Sequence, residues 1–232
     1  MNIIHCKGYE EMSDLAATFV SQEVATKKDL LLCAATGHSP QGLYSRLVDQ
    51  ASRTQGFFDQ LRVIQLDEWG GLPKNHPATC ASYLQQWLLE PLAISPQRTI
   101  SFQSAPADPA QECARMQSVL AKNGPIDLCI LGLGGNGHIG FNEPAPFLEP
   151  HCHVAHLSET TLHHAMVQAL NNKPAYGLTL GLSDILHAKR ILLLITGSNK
   201  EKVTEAFLSG KITTQLPASL LWLHPHVDCL IG

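Results

Sequence analysis

Two side chains that could move protons stand next to each other early in this 232-residue chain. Asp67 and Glu68 follow directly after the apolar run LRVIQL. Successive side chains of a strand point to opposite sides, so one carboxylate can enter a site while the other turns away. A carboxylate at a strand end can serve as a general base. The alternative for an isolated Asp-Glu pair is a solvated turn, and only the neighbouring segments shift the balance.

A second polar segment, residues 132–146, reads GLGGNGHIGFNEPAP and follows another apolar run. Its clustered glycines allow the backbone to wrap closely around a ligand. Asn136, His138 and Glu143 accompany them. A histidine titrates near neutrality, and a carboxylate can orient it and stabilise its charged form. GLGGNG is similar to a dinucleotide fingerprint only superficially, because that motif opens a helix whereas this segment continues with two prolines.

A third segment, TGHS at 36–39, is suited to bind phosphate. It follows an apolar run and leads into a helical pattern, with Gly37 free to adopt unusual backbone angles and Ser39 placed as a helix cap. The N–H groups and hydroxyls of Thr36, Gly37, His38 and Ser39 would then face an anion. Taken alone, the segment is equally compatible with an ordinary strand-to-helix turn.

The elements that must position these segments can be predicted from periodicity. Buried strands are indicated by apolar runs at 29–35, 61–66, 126–133, 190–195 and 227–231. Helical patterns lie at 9–27, 40–53, 79–92, 109–122, 159–170 and 199–209, with cap-proline starts at Ser39-Pro40 and Asp108-Pro109. We therefore expect an α/β fold in one domain over 1–232: a three-layer α/β/α architecture, with a largely parallel Rossmann-like sheet and helices on both faces. Ligands bind such sheets beyond the carboxyl ends of the strands.

Composition excludes several classes of protein. A net charge of −4 with only 16 Lys and Arg indicates no nucleic-acid or anionic membrane surface. No window approaches the roughly 18 apolar residues of a membrane span, and seven cysteines without a CxxC pair fit a cytoplasmic protein. His151, Cys152, His153 and His156 invite a metal hypothesis, but they form no complete ligand motif. We expect no metal and no cofactor.

The motifs together resemble a known family. LDEWGGLPKNHPAT and LGLGGNGHIGFNEPA are similar to the signature segments of the glucosamine-6-phosphate deaminase and isomerase family, which is related in fold to 6-phosphogluconolactonases. The similarity covers nearly the whole chain and includes TGHSP, TGSNK at 196–200 and LWLHPHVD at 221–228. It implies a partner that is a small amino sugar phosphate, and it leaves a homo-oligomer open.

The resemblance also implies roles for individual residues. Asp67 would move a proton between C2 and C1 of the sugar, and His138 would act at the ring oxygen with Glu143 as its acidic partner. Phosphate would bind at the Thr36–Ser39 turn, with Lys200 supplying a point charge. We also expect Asn136 to belong to the catalytic residues. The substrate-binding set is completed by Glu68, Gly135 and Gly137.

This chain departs from the family pattern at two positions. Asn136 stands where the deaminases usually have Asp, which resembles the galactosamine-6-phosphate isomerase branch. Leu162 stands where a phosphate-binding Arg is expected, so His163, His164 or Lys200 would have to compensate. Residues 147–156 lack the basic side chains of the regulatory site of allosteric deaminases, and we expect no amino-sugar allostery.

Two other functions stay open at this point. A 6-phosphogluconolactonase-like hydrolase would use a related fold and the same histidine loop, although the FNEP segment and the intact Asp67-Glu68-Trp69 sequence favour isomerisation. A non-catalytic sugar-phosphate sensor is the second alternative, since Asn136 and Leu162 depart from the pattern. Assays with both amino sugar phosphates and with the lactone separate the three.

Overall fold

The structure is a computed structural model that describes the whole chain, Met1–Gly232. Seven strands form one parallel sheet: β1 (Asn2–His5), β2 (Leu31–Ala34), β3 (Arg62–Gln65), β5 (Thr99–Ile100), β6 (Leu128–Gly132), β9 (Arg190–Ile195) and β10 (Val227–Ile231). Their order across the sheet is β1-β10-β9-β6-β2-β3-β5. Parallel neighbours need crossover connections, which explains why helices separate most of them in the sequence.

Helices cover both faces of this sheet. The α-helices are α1 (Tyr9–Thr26), α2 (His38–Arg53), α3 (Cys80–Leu84), α4 (Pro109–Asn123), α5 (Glu159–Leu162), α6 (Leu182–Leu186) and α7 (Glu201–Leu208). In β2, Leu32 packs in a core cluster with α1 and α2, whereas Leu31 packs with α4 and α7 on the opposite face. Such strands bury both faces, which is why they are continuously apolar. The predicted three-layer fold is confirmed.

A second, antiparallel sheet was not anticipated. It consists of β7 (His153–Ala155), β8 (Tyr176–Thr179) and β4 (Asp67–Gly70), in the order β4-β8-β7. The apolar run at 61–66 predicts a strand that ends before Asp67, and this is wrong for Asp67–Gly70, which form a further strand. Asp67 pairs with Thr179, and such a partner, distant in the sequence, leaves no signal in the strand itself.

Two further expectations need correction. The helix predicted over 159–170 ends at Leu162, and the chain continues through turns. Nδ1 of the imidazole of His164 accepts the N–H of Met166 at 3.3 Å, and a side chain that binds a backbone donor competes with the helix. Ser39 does not cap α2: the helix begins at His38, with Gly37 as its N-cap residue.

The other predicted cap is confirmed. Oδ1 of Asp108 accepts the N–H groups of Ala110 and Gln111 at 2.9 and 3.1 Å, at the start of α4. A side chain that accepts these otherwise unpaired donors stabilises the helix by about 1 kcal/mol. None of the helices combines the length and the apolar composition that crossing a bilayer requires.

Candidate active site

A cleft of about 1090 Å³ opens at the carboxyl ends of β2, β3, β6 and β9. This is the edge at which parallel sheets bind ligands. It also receives residues from the second sheet and from the turns after α5. Of the predicted site residues, eight line the cleft: Thr36, Gly37, His38, Ser39, Asp67, Gly135, His138 and Lys200.

Asp67 is a buried carboxylate on the wall of the cleft. Asp67 is 8% exposed, and its Oδ1 atom has no hydrogen-bond partner. Burial, and then the neighbouring charge of Glu68, raise the pKa of Asp67 to about 7, against a smaller opposing effect of a hydrogen bond from Cys80. A buried acceptor without a partner is costly, and a pKa near neutrality suits a group that must take up and return a proton.

Glu68 has a different position from the one predicted. It is fully buried and does not line the cleft. Its carboxylate accepts N–H groups of Trp69, Cys80 and Ala81 at 2.8 to 2.9 Å, and also the side-chain amide of Gln65. Because alternate residues of β4 face opposite sides, Asp67 reaches the cleft and Glu68 anchors the first turn of α3. The structure therefore does not bring Glu68 to the cleft as predicted, and its carboxylate holds the chain around Asp67 in place.

His138 lines the cleft and is held from behind by Glu143. Nδ1 of the imidazole lies 3.4 Å from Oε2 of Glu143. Burial would raise the pKa of Glu143. A hydrogen bond from His138 and its charge outweigh this effect, hydrogen bonds from Thr161 and Asn136 add to them, and the pKa is lowered to about 2. The ring lies against Gly134, where a Cβ would come within 2.4 Å of it. Since Nδ1 is turned toward the carboxylate, Nε2 is the nitrogen left to act on a ligand.

Asn136 and Thr161 complete the support of this pair. Nδ2 of Asn136 donates to Oε2 of Glu143 at 2.7 Å, and Oδ1 of Asn136 accepts the N–H of His138 at 3.2 Å. The hydroxyl of Thr161 donates to Glu143 and lies 3.2 Å from Nδ1 of His138. Neither Asn136 nor Glu143 lines the cleft. Asn136 was predicted as a catalytic residue, but its contacts make it a positioning residue.

The N-terminus of α2 also lines the cleft. Gly37 has a φ of +99°, which favours glycine, and its carbonyl accepts the hydroxyl of Tyr83 at 2.7 Å. The first N–H groups of a helix have no partner within it, and its dipole favours an anion. The turn predicted to bind phosphate, 36–39, therefore lines the cleft at a helix start that favours an anion.

The cationic groups in this cleft are few. Lys200 is the only lysine or arginine that lines the cleft, and burial lowers its pKa. Leu162, the position where an arginine was expected, packs instead against a small hydrophobic cluster that contains Trp69. His164 lines the cleft, with its ring centroid 5.9 Å from that of Trp69.

Some predicted and observed residues differ. Gly137 has a φ of +88° and does not line the cleft, and a Cβ there would meet Leu216. Its predicted part in binding substrate stays a prediction. The role of Thr161 was missed, because a bridging hydroxyl has no sequence signature. The structure contains no group of three or more His, Cys, Asp or Glu side chains arranged to hold a metal ion.

Comparison with known proteins places these features in a family. The sequence model described as glucosamine-6-phosphate isomerases/6-phosphogluconolactonase matches residues 8–230. AgaI of Escherichia coli (strain K12), a protein assigned as a deaminase, is 40% identical over 226 residues, 97% of this chain and 90% of its own length. The glucosamine-6-phosphate deaminase of Thermoanaerobacter pseudethanolicus is 34% identical over 233 residues, 100% of this chain and 92% of its own.

Solved structures agree with the sequence relatives. A monomeric glucosamine-6-phosphate deaminase has a TM-score of 0.92 at 33% identity, covering 100% of this chain and 97% of its own. The 6-phosphogluconolactonase of Trypanosoma cruzi has a TM-score of 0.81 at 20% identity, covering 99% and 93%. The second likeness concerns the fold alone.

Proposed function

Since the chain belongs to the family described as glucosamine-6-phosphate isomerases/6-phosphogluconolactonase, we propose that it converts galactosamine 6-phosphate or glucosamine 6-phosphate into the ketose 6-phosphate and ammonia. One observation carries the proposal. The buried carboxylate of Asp67, whose Oδ1 has no hydrogen-bond partner, lines the same cleft as His138, which Glu143 supports from behind, and the N-terminus of α2 lines that cleft as well. The enzyme class predicted from the sequence, an isomerase/deaminase, agrees with the relatives.

The proposed reaction needs only proton transfers and water. Nε2 of His138 would take the proton of the C1 hydroxyl and give it to the ring oxygen, so that the bond between that oxygen and C1 breaks and C1 becomes a carbonyl carbon. Asp67 would then take the proton from C2 and return it to C1. The resulting ketimine adds water and releases ammonia, so the overall balance is amino sugar phosphate plus water to ketose phosphate plus ammonia. Glu143 stabilises the charged imidazole and keeps Nδ1 oriented.

Asn136 bears on which epimer is the substrate. It replaces the carboxylate that the deaminase pattern usually has, and its amide donates to Glu143 rather than accepting a proton. A relay of protons through position 136 is therefore excluded, and ring opening depends on His138 with Glu143. The same asparagine favours galactosamine 6-phosphate, by resemblance to that branch of the family.

The test is to incubate the purified chain with each epimer and to measure ammonia and ketose phosphate together. In D₂O, transfer from C2 to C1 with partial exchange gives product with less than one deuterium at C1. We expect turnover, its loss in Asp67→Asn, and its retention in Asp49→Asn, an exposed aspartate of α2 that serves as a matched control.

Other outcomes would contradict the proposal. Hydrolysis of 6-phosphogluconolactone without ammonia from either amino sugar would identify a lactonase. Binding of a sugar phosphate with no turnover of any of the three would identify a sensor. An Asp67→Asn variant with full activity would overturn the assigned base.

A further inference from the structure

His164 is a cleft residue whose chemistry the proposed reaction does not use. Its ring lies close both to Gly37, at the N-terminus of α2, and to Trp69. A Cβ at Gly37 would come 3.2 Å from Nε2 and 3.5 Å from Cε1, so this edge of the imidazole faces the turn at 36–39. Lys200 lines the same cleft. The histidine therefore lies where an anion held by the first turn of α2 would be within reach.

The hydrogen bonds of His164 determine which nitrogen carries its proton. The backbone N–H of Met166 donates to Nδ1 at 3.3 Å, so Nδ1 must present a lone pair. A neutral imidazole has one donor and one acceptor nitrogen, and the proton is consequently on Nε2. That nitrogen has no hydrogen-bond partner in the protein. Nε2–H is thus a donor directed toward the turn at 36–39.

The surroundings keep this imidazole neutral. Burial, followed by the charges of His138 and Lys200, lowers the pKa of His164 to about 4. A second full positive charge beside Lys200 would be repelled in the unliganded cleft, whereas a neutral donor is not. A neutral N–H can still donate to a phosphate oxygen, and hydrogen bonds to charged groups are the stronger ones.

We propose that His164 binds the phosphate of the substrate through Nε2–H, and that with Lys200 and the first turn of α2 it replaces the missing guanidinium. The inference deepens the proposed function, since it takes the phosphate to be that of an amino sugar 6-phosphate. The class of ligand that it requires is a phosphate monoester. It also accounts for Leu162, which packs against the hydrophobic cluster that contains Trp69 and does not line the cleft.

Substitution of His164 by two residues separates binding from packing. His164→Leu keeps apolar contact with Trp69 but removes the donor, whereas His164→Gln places an amide N–H at a similar distance from the backbone. Inorganic phosphate is the probe, and its dissociation constant is measured by calorimetry or ³¹P NMR. His156→Leu is the matched control, because His156 is exposed and outside the cleft.

We expect His164→Leu to weaken phosphate roughly 10- to 100-fold, as the loss of one hydrogen bond to a charged group predicts. KM for the amino sugar phosphate should rise by a similar factor, with kcat within about threefold of the parent, because the phosphate does not react. His164→Gln should recover most of the affinity, and His156→Leu should not change it. Thermal unfolding verifies that each variant is folded.

The inference is overturned if His164→Leu binds phosphate as the parent does, or if His164→Gln binds no better than His164→Leu. Its failure is distinguishable from failure of the proposed function. A chain that binds phosphate through His164 but deaminates neither epimer would refute the function and leave the inference standing. A chain that deaminates an epimer with unchanged phosphate affinity in His164→Leu would do the reverse.

Discussion

Replacing Asp67 by Asn should abolish turnover and at the same time stabilise the folded chain at high pH. The two carboxyl neighbours of β4 differ in their partners: Oδ1 of Asp67 has none, whereas the Glu68 carboxylate accepts four N–H groups. An ionised carboxylate that is buried without donors opposes folding. The neutral amide of Asn has nearly the same shape and carries no charge.

The magnitude follows from the pKa of Asp67. The ordinary value is about 4, and burial together with the charge of Glu68 raises it to about 7. Between these values the folded chain binds a proton that the unfolded chain has lost, so stability falls as pH rises from about 4 to about 7 and is then level. At about 1.4 kcal/mol per tenfold, the full loss is on the order of 4 kcal/mol. About a third of this loss of stability has already occurred at pH 5, so the free energy of unfolding should fall by about 2 to 3 kcal/mol between pH 5 and pH 8.

The assay is urea unfolding of the parent and Asp67→Asn at pH 5 and pH 8. Other titrating groups are common to both proteins, so the difference between them isolates Asp67. The free energy of unfolding of Asp67→Asn, relative to the parent, should be about 2 to 3 kcal/mol higher at pH 8 than at pH 5. Glu68→Gln is the matched comparison: its NH₂ group would face N–H donors, so it should destabilise by about 2 kcal/mol or more.

An Asp67→Asn variant whose advantage over the parent is equal at both pH values would refute the reasoning, because the carboxyl would then have an ordinary pKa. A Glu68→Gln variant as stable as the parent would show that the two neighbours are not distinguished as described.

Three further predictions concern the support of His138. The pKa of Glu143 is lowered to about 2, so its carboxylate should stabilise the folded chain above about pH 4 by on the order of 3 kcal/mol, and this stability should be lost as pH falls toward 2. Acid unfolding of Glu143→Gln should lack this loss, and the kcat of the variant should fall roughly 100-fold. Thr161→Val removes the hydroxyl that contacts Glu143 and His138, so kcat should fall about 10-fold with KM unchanged; a changed KM with a normal kcat would contradict this position. Gly134→Ala brings a Cβ within 2.4 Å of the His138 ring, so steady-state assays should show a loss of kcat in a folded protein; full activity would show that the ring is free to move.

The sequence was most informative where interactions are local or periodic. Continuous apolar runs predicted five strands of the parallel sheet, because a strand buried on both faces needs apolar residues at every position. The cap at Asp108 was equally readable, since its partners are two and three residues away. Ser39 looked the same in sequence and does not cap, because the chain enters α2 one residue earlier, through Gly37 at positive φ.

The sequence by itself determined the fold class, the family and the segments that meet at the cleft. Only the tertiary structure decided which of Asp67 and Glu68 reaches the cleft. Asp67 and Glu68 are indistinguishable as residue types, and it is pairing with β8, 112 residues further along for Asp67–Thr179, that directs one to the cleft and the other to α3. The donor of His164 likewise depends on a turn that ends the predicted helix early. Burial, partner and proton position arise from contacts between distant segments, and no single segment encodes them.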